Sequence, residues 1–126
     1  MDEILDRDAV AQAELIRRRE ITPMELVNAA IERIERVNPR LNAVIIPLFE
    51  KARAAAESSL TPEGPLHGVP FVRKDLLCPA AGDPQHDGMR LLRDISHTAP
   101  HDSYLAAKFR AAGLITIGKT NTPNSD

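Results

Sequence analysis

The sequence predicts an α/β fold, and three observations carry that reading. Short apolar runs of strand length alternate with longer amphipathic stretches, the pattern of helices laid against a sheet. The longer stretches carry start and stop residues typical of helices. Aromatic residues supply only 3% of the chain and there is no Trp, so the core must be built from Leu, Ile, Val and Ala. A length of 126 residues suits one compact domain better than two.

Residues 9–20, with Asp8 ahead of them, form the first predicted helix. Val10, Ala13 and Ile16 make its expected buried stripe, and Arg17, Arg18 and Arg19 suit the negative end of its dipole. The second helix has a sharper start: Thr22 as N-cap, Pro23 at the first helical position and Glu25 completing a capping box. Leu26, Ala30, Ile34 and Val37 line its apolar face, and Asn38-Pro39 is expected to stop it. Leu41 to Ile46 (LNAVII) reads as a buried strand, and residues 48–60, rich in Ala and long charged side chains, as a helix.

Thr61 to Gly64 is turn-forming, and Val69 to Arg73 is a second strand that delivers Lys74 and Asp75 at its end. From Leu76 to about His101 the breakers Pro79, Gly82, Pro84, Gly88 and Pro100 imply loop, with one helical turn near Met89 to Arg93. A loop of that length in a compact domain is often functional. Asp102 is the expected cap of a helix running through Tyr104, Leu105, Phe109 and Ala112 and ended by Gly113. Leu114 to Ile117 is the third strand, followed by a polar ending.

Composition narrows the function classes. Hydrophobic residues make up 43% and charged residues 27%, the balance of a soluble globular protein. A formal net charge of -2 gives no reason to expect nucleic acid as a partner. The single cysteine, Cys78, rules out an internal disulfide and fits a reducing compartment. The start Met1-Asp2-Glu3 lacks a secretory pattern, and no apolar run approaches bilayer length, so a cytoplasmic location without membrane contact is expected.

Four motifs carry possible chemistry. Gly113-Leu-Ile-Thr-Ile-Gly118-Lys119-Thr120 satisfies the letters of a phosphate loop, but its intervening residues are β-prone and should be the strand itself. Cys78 lies four residues beyond Lys74, with no base or oxyanion hole identifiable beside it. His86, His97 and His101 match no strong metal-ligand spacing, so no metal and no cofactor are expected. Lys74 ends an apolar strand, where its side chain could enter a cleft. A lysine acts as a general base only when neutral, a state that burial or neighbouring positive charge can arrange. By itself the pattern fits a solvated strand-end lysine better.

A resemblance changes that weighing. Gly64-Pro-Leu-His-Gly-Val-Pro-Phe-Val-Arg-Lys-Asp-Leu76 is similar to the strand and loop around the catalytic lysine of the amidase-signature family. Asp102 to Pro123 resembles that family's next helix, strand and Gly-Lys-Thr-Asn loop, and it makes Gly118-Lys119-Thr120 a structural loop after a strand. Ile21-Thr-Pro-Met-Glu-Leu and Asn38-Pro-Arg-Leu-Asn-Ala43 resemble the capped second helix and the turn behind it.

The resemblance implies a mixed sheet with flanking helices, incomplete as given. Residues 1–126 would then be a partial domain, with 1–38 a helical N-terminal arm and 39–126 the start of the α/β core. It implies hydrolysis of carbon–nitrogen bonds in a small amide, by a serine nucleophile, a second serine in a cis peptide and a lysine whose place Lys74 takes. Ser58, Ser59, Ser96, Ser103 and Ser125 have no matching context, and Thr122-Pro-Asn-Ser-Asp126 departs from the family's usual Thr-Pro-Glu. The 126-residue chain alone is therefore expected to be inactive. The alternatives are a non-catalytic protein acting by self-association or partner binding, including a missing C-terminal portion, and, more remotely, a nucleotide binder.

Overall fold

The computed structural model describes residues 2–58, 64–74, 83–84 and 103–120. Among these, the order is α1 (Asp2–Leu5), α2 (Ala9–Arg17), α3 (Pro23–Leu41), β1 (Val44–Pro47), α4 (Phe49–Ser58), β2 (Pro70–Lys74), α5 (Tyr104–Ala111) and β3 (Ile115–Thr120). The strands form a mixed sheet in the order β1-β3-β2, with β1 antiparallel and β2 parallel to β3. Helices flank it, as the α/β reading expects. None of the described helices is long and apolar enough to cross a membrane.

Asp8 caps α2, accepting from the Ala11 amide at 2.8 Å. The helix buries Gln12, Ala13 and Ile16 instead of the expected stripe, and Val10 is 71% exposed. Val10 lies 120° round the helix from Ile16, whereas Ala9, Gln12, Ala13 and Ile16 follow the i, i+3, i+4, i+7 spacing of one face. A polar residue can occupy that face because Gln12 Nε2 donates to the carbonyls of Ile4 (3.3 Å), Leu5 (3.3 Å) and Arg7 (2.9 Å). It satisfies the open C-terminal end of α1, a helix too short to announce itself in the sequence. The end of α2 also comes earlier than expected, at Arg17, with Arg19 in the left-handed region at φ 60°.

The capping box of α3 is complete. Glu25 N donates to Thr22 Oγ1 at 3.1 Å, and Thr22 N to Glu25 Oε1 at 3.3 Å. Leu26, Val27, Ala30 and Ile31 are its buried residues. Asn38-Pro39 does not stop the helix. A proline in the final turn removes only one intrahelical bond, and the true stop is Asn42, at φ 49°, whose N–H donates to Asn38 O at 2.7 Å. The Asn38 side chain then receives the strand: its Nδ2 donates to Val44 O (2.7 Å), and its Oδ1 accepts from Val44 N (2.9 Å). One amide thus serves as the ladder partner that starts β1.

The core lies between the sheet and two helices. Val27, Ala30 and Ile31 of α3, Ala52 and Ala56 of α4, and Ile115 and Ile117 of β3 form one buried aliphatic cluster. Ile16, Ile21 and Leu26 form a second beneath α2. Burying each of the larger aliphatic side chains stabilises the fold by about 1.5–3 kcal/mol. Phe49 packs against the first cluster, whereas Phe71 of β2 meets Phe109 of α5 with centroids 4.5 Å apart and a tilted geometry.

Ser103, and not Asp102, caps α5, its side chain accepting from Ala106 N at 3.0 Å. Asp102 itself lies outside the described residues. The far end of α5 is sealed by the segment leading into β2. Leu66 N donates to Ala112 O (2.8 Å) and Gly68 N to Gly113 O (2.9 Å), so the orphan carbonyls after the helix hold β2 against β3. Gly64, at φ 85°, allows this docking, because a Cβ there would sit 2.5 Å from backbone atoms of Ala112. Gly64→Ala is expected to destabilise the chain by about 2–3 kcal/mol, from left-handed strain plus a backbone clash that no rotamer relieves. Urea unfolding measures it, and an unchanged midpoint would show that this turn does not dock as described.

Candidate functional site

Because β2 and β3 run parallel, their carboxyl ends open on the same edge of the sheet. Parallel α/β sheets bind ligands at that edge. Lys74 is the last residue of β2, exposed and in register with Thr120, the last residue of β3; Arg73 is in register with Lys119. The register shifts between Phe71 and Val72, where β3 carries one extra residue, Ile117. The expected Gly118-Lys-Thr loop is not a loop. Residues 115–120 are all strand, with Gly118 between Val72 of β2 and Pro47 of β1. A Cβ on Gly118 would meet Val44 Cγ1 at 2.6 Å, so this glycine admits a neighbouring strand rather than a phosphate.

Beside this edge, three cations converge on residues 83–84. Arg73 Nη2 donates to Asp83 Oδ2 at 2.8 Å, with both side chains only 5% exposed. Lys51 Nζ of α4 pairs with Asp83 Oδ1 from a side chain that is 58% exposed. Lys119, wholly buried, donates from Nζ to the Pro84 carbonyl at 3.0 Å. Arg73 also reaches Thr116 Oγ1 at 3.5 Å, while its Nε is buried with no hydrogen-bond partner among the described residues. Burial alone would push the Asp83 carboxyl up, but the hydrogen bonds and charges of Lys51 and Arg73 outweigh it and hold it below the usual carboxylate range.

This cluster was not legible as such in the sequence. Arg73 was visible as the end of an apolar run and Lys119 as part of Gly-Lys-Thr, and charged residues inside strand runs do require partners. Nothing in the sequence pairs either with Asp83 or Pro84. The cluster borders a cleft of about 180 Å³ between α4, α5 and the sheet, walled by Lys51, Arg73, Asp83, Arg110 and Thr116.

The remaining sequence candidates are spread or unplaced. Asp75, Cys78, His86, His97, His101, Ser59, Ser96 and Ser125 lie outside the described residues. Ser58 ends α4, its Oγ donating to Ala55 O at 3.1 Å, and Ser103 is a helix cap. Among the described residues, no group of three or more His, Cys, Asp or Glu is arranged to hold a metal ion.

Comparison with known proteins bears on the family and the fold. A family model described as Amidase matches residues 25–126. The chain is 46% identical over 117 residues to the 6-aminohexanoate-cyclic-dimer hydrolase of Paenarthrobacter ureafaciens, a match covering 93% of this chain and 23% of that protein. A solved structure of 6-aminohexanoate cyclic dimer hydrolase superposes with a TM-score of 0.86 at 46% identity, over 94% of this chain and 24% of the other. A bacterial aryl acylamidase of the amidase signature enzymes family superposes with a TM-score of 0.84 at 32% identity, covering 94% and 26%. The chain spans about a quarter of the length of the curated relatives it matches.

Proposed function

The chain belongs to the amidase family, and from that premise we propose that it carries the lysine-bearing part of an amide-hydrolysing site, with Lys74 as general base. The observation that supports this most is the place of Lys74: the last residue of β2, exposed, on the edge where the parallel strands end. In this reading residues 1–126 are the opening part of a larger amidase-signature domain. The serines that complete the site come from a Gly/Ser-rich segment not among these residues.

The chemistry follows from the family mechanism that the sequence resembles. A serine hydroxyl attacks the amide carbonyl while its proton passes through a second serine to Lys74. The tetrahedral adduct expels the amine, which takes up a proton, and leaves an acyl ester on the serine. Water then cleaves the ester to the acid, and the serine regains its proton. The substrate class is a small molecule with an amide bond. The names of the similar proteins, a cyclic-dimer hydrolase and an aryl acylamidase, share no narrower chemistry.

A chimaera tests the proposal. The matching segment of the Paenarthrobacter ureafaciens hydrolase is replaced by the corresponding residues of this chain, and hydrolysis of the 6-aminohexanoate cyclic dimer and of simple amides is followed. The folded chimaera is expected to turn over an amide, and a polypeptide of residues 1–126 alone is expected to release none. A cooperatively folded chimaera without turnover, or robust turnover by residues 1–126 alone, would overturn the reading.

A further inference from the structure

We propose that Arg73 and Asp83 are positioning residues: their buried ion pair, steadied by Lys51, fixes the end of β2 and so the direction of Lys74. The inference rests on Lys74 being the base. Lys74 is the terminal residue of its strand, paired with Thr120 of β3. Terminal residues of a strand fray unless something ties them down. A base aimed by a frayed residue would spend little time in line with its proton donor.

The tie is one residue away. Successive side chains of a strand point to opposite faces, and here Arg73 is buried while Lys74 is exposed. Arg73 is held at its guanidinium by Asp83 (2.8 Å) and by Thr116 of β3 (3.5 Å), so the backbone from which Lys74 projects is anchored from the inner face. One extra residue on β3, Ile117, lies between the partners of Phe71 and Val72 and sets the register in which Arg73 and Lys74 pair with Lys119 and Thr120. Asp83 is in turn anchored twice over, by Lys51 of α4 on its own carboxylate and by the bond from Lys119 of β3 to Pro84 O. Residues 83–84 are thereby pinned to the sheet edge on which Lys74 sits. This is more restraint than a stability element needs, since an apolar pair of similar volume serves stability as well as a buried ion pair does.

The test is kinetic, in the chimaera, at a temperature well below its melting point. Asp83→Asn and Arg73→Met are each expected to lower kcat about 10- to 100-fold, the penalty of aiming a catalytic group about 1 Å off. KM should stay within about twofold, and the double variant should be no slower than the worse single one, because both act through one restraint. Where either variant fails to fold, Arg73→Lys decides, because it keeps the internal charge and loses the fork. A kcat reduced about tenfold or more at unchanged KM supports positioning. Wild-type kcat in a folded variant overturns it, even if the melting temperature falls. If Lys74→Ala remains active, the functional reading has failed. If Lys74→Ala is inactive while the Arg73 and Asp83 variants keep full kcat, only this inference has failed.

Discussion

Lys74→Ala in the chimaera is expected to lower kcat by about a hundred- to ten-thousand-fold, the usual contribution of a positioned general base. KM should change little, because the lysine acts on a proton in the transition state and not on substrate binding. Lys74→Arg is the sharper variant. It keeps a long cation at the end of β2, but a guanidinium does not deprotonate in proteins, so it should be as slow as the alanine form. Activity retained in Lys74→Arg would mean that Lys74 supplies positive charge and not basicity. Lys108→Ala is the control: this exposed residue of α5, lying over the Tyr104 ring at 5.2 Å, has no part in the proposed chemistry and should leave kcat unchanged.

The second large effect is on stability. Asp83→Leu strands Arg73, a side chain 5% exposed, without its anion. Breaking a buried pair from one side costs about 3–5 kcal/mol. The Lys51 contact adds little to that figure, since its ammonium side is more than half exposed. Replacing both partners, in Arg73→Leu with Asp83→Leu, should recover most of the loss, because no uncompensated charge is left inside.

The acid dependence has a definite sign. The Asp83 carboxyl titrates lower in the folded chain than in the unfolded one, where an aspartate sits near about 3.9. Its contribution is therefore complete above that unfolded value and is lost as pH falls through the lower folded value. Thermal melts of the parent chain and Asp83→Leu should be widely separated at pH 7 and should draw together below about pH 4. A gap that stays constant down to pH 3 would mean that Asp83 is not paired as described.

Much of this architecture was legible because it is encoded locally. The capping box of Thr22 and Glu25, the cap of Asp8 and the stop at Gly113 all act within one helical turn of the residues that carry them. Three apolar runs marked the three strands, and the family resemblance of residues 64–76 and 102–123 covered the two that pair in parallel. Lys74 ends one of those runs, but it was the resemblance of residues 64–76 and not the run itself that singled it out.

What the sequence determined by itself, then, was the order of helices and strands from α2 onward, the aliphatic make-up of the core and the family. Tertiary structure alone decided the rest. Val10 faces solvent and Gln12 the interior because two carbonyls of the preceding helix, Ile4 and Leu5, and that of Arg7 just after it needed a donor. Gly118 to Thr120 are strand and not loop because β1, far earlier in the chain, arrives to pair with them. Arg73, Lys119 and Lys51 share residues 83–84 because three elements distant in sequence meet there. Caps and periodicity act between neighbours in the chain and can be read from it. Ladder partners and ion pairs act between neighbours in space, and only the fold brings those together.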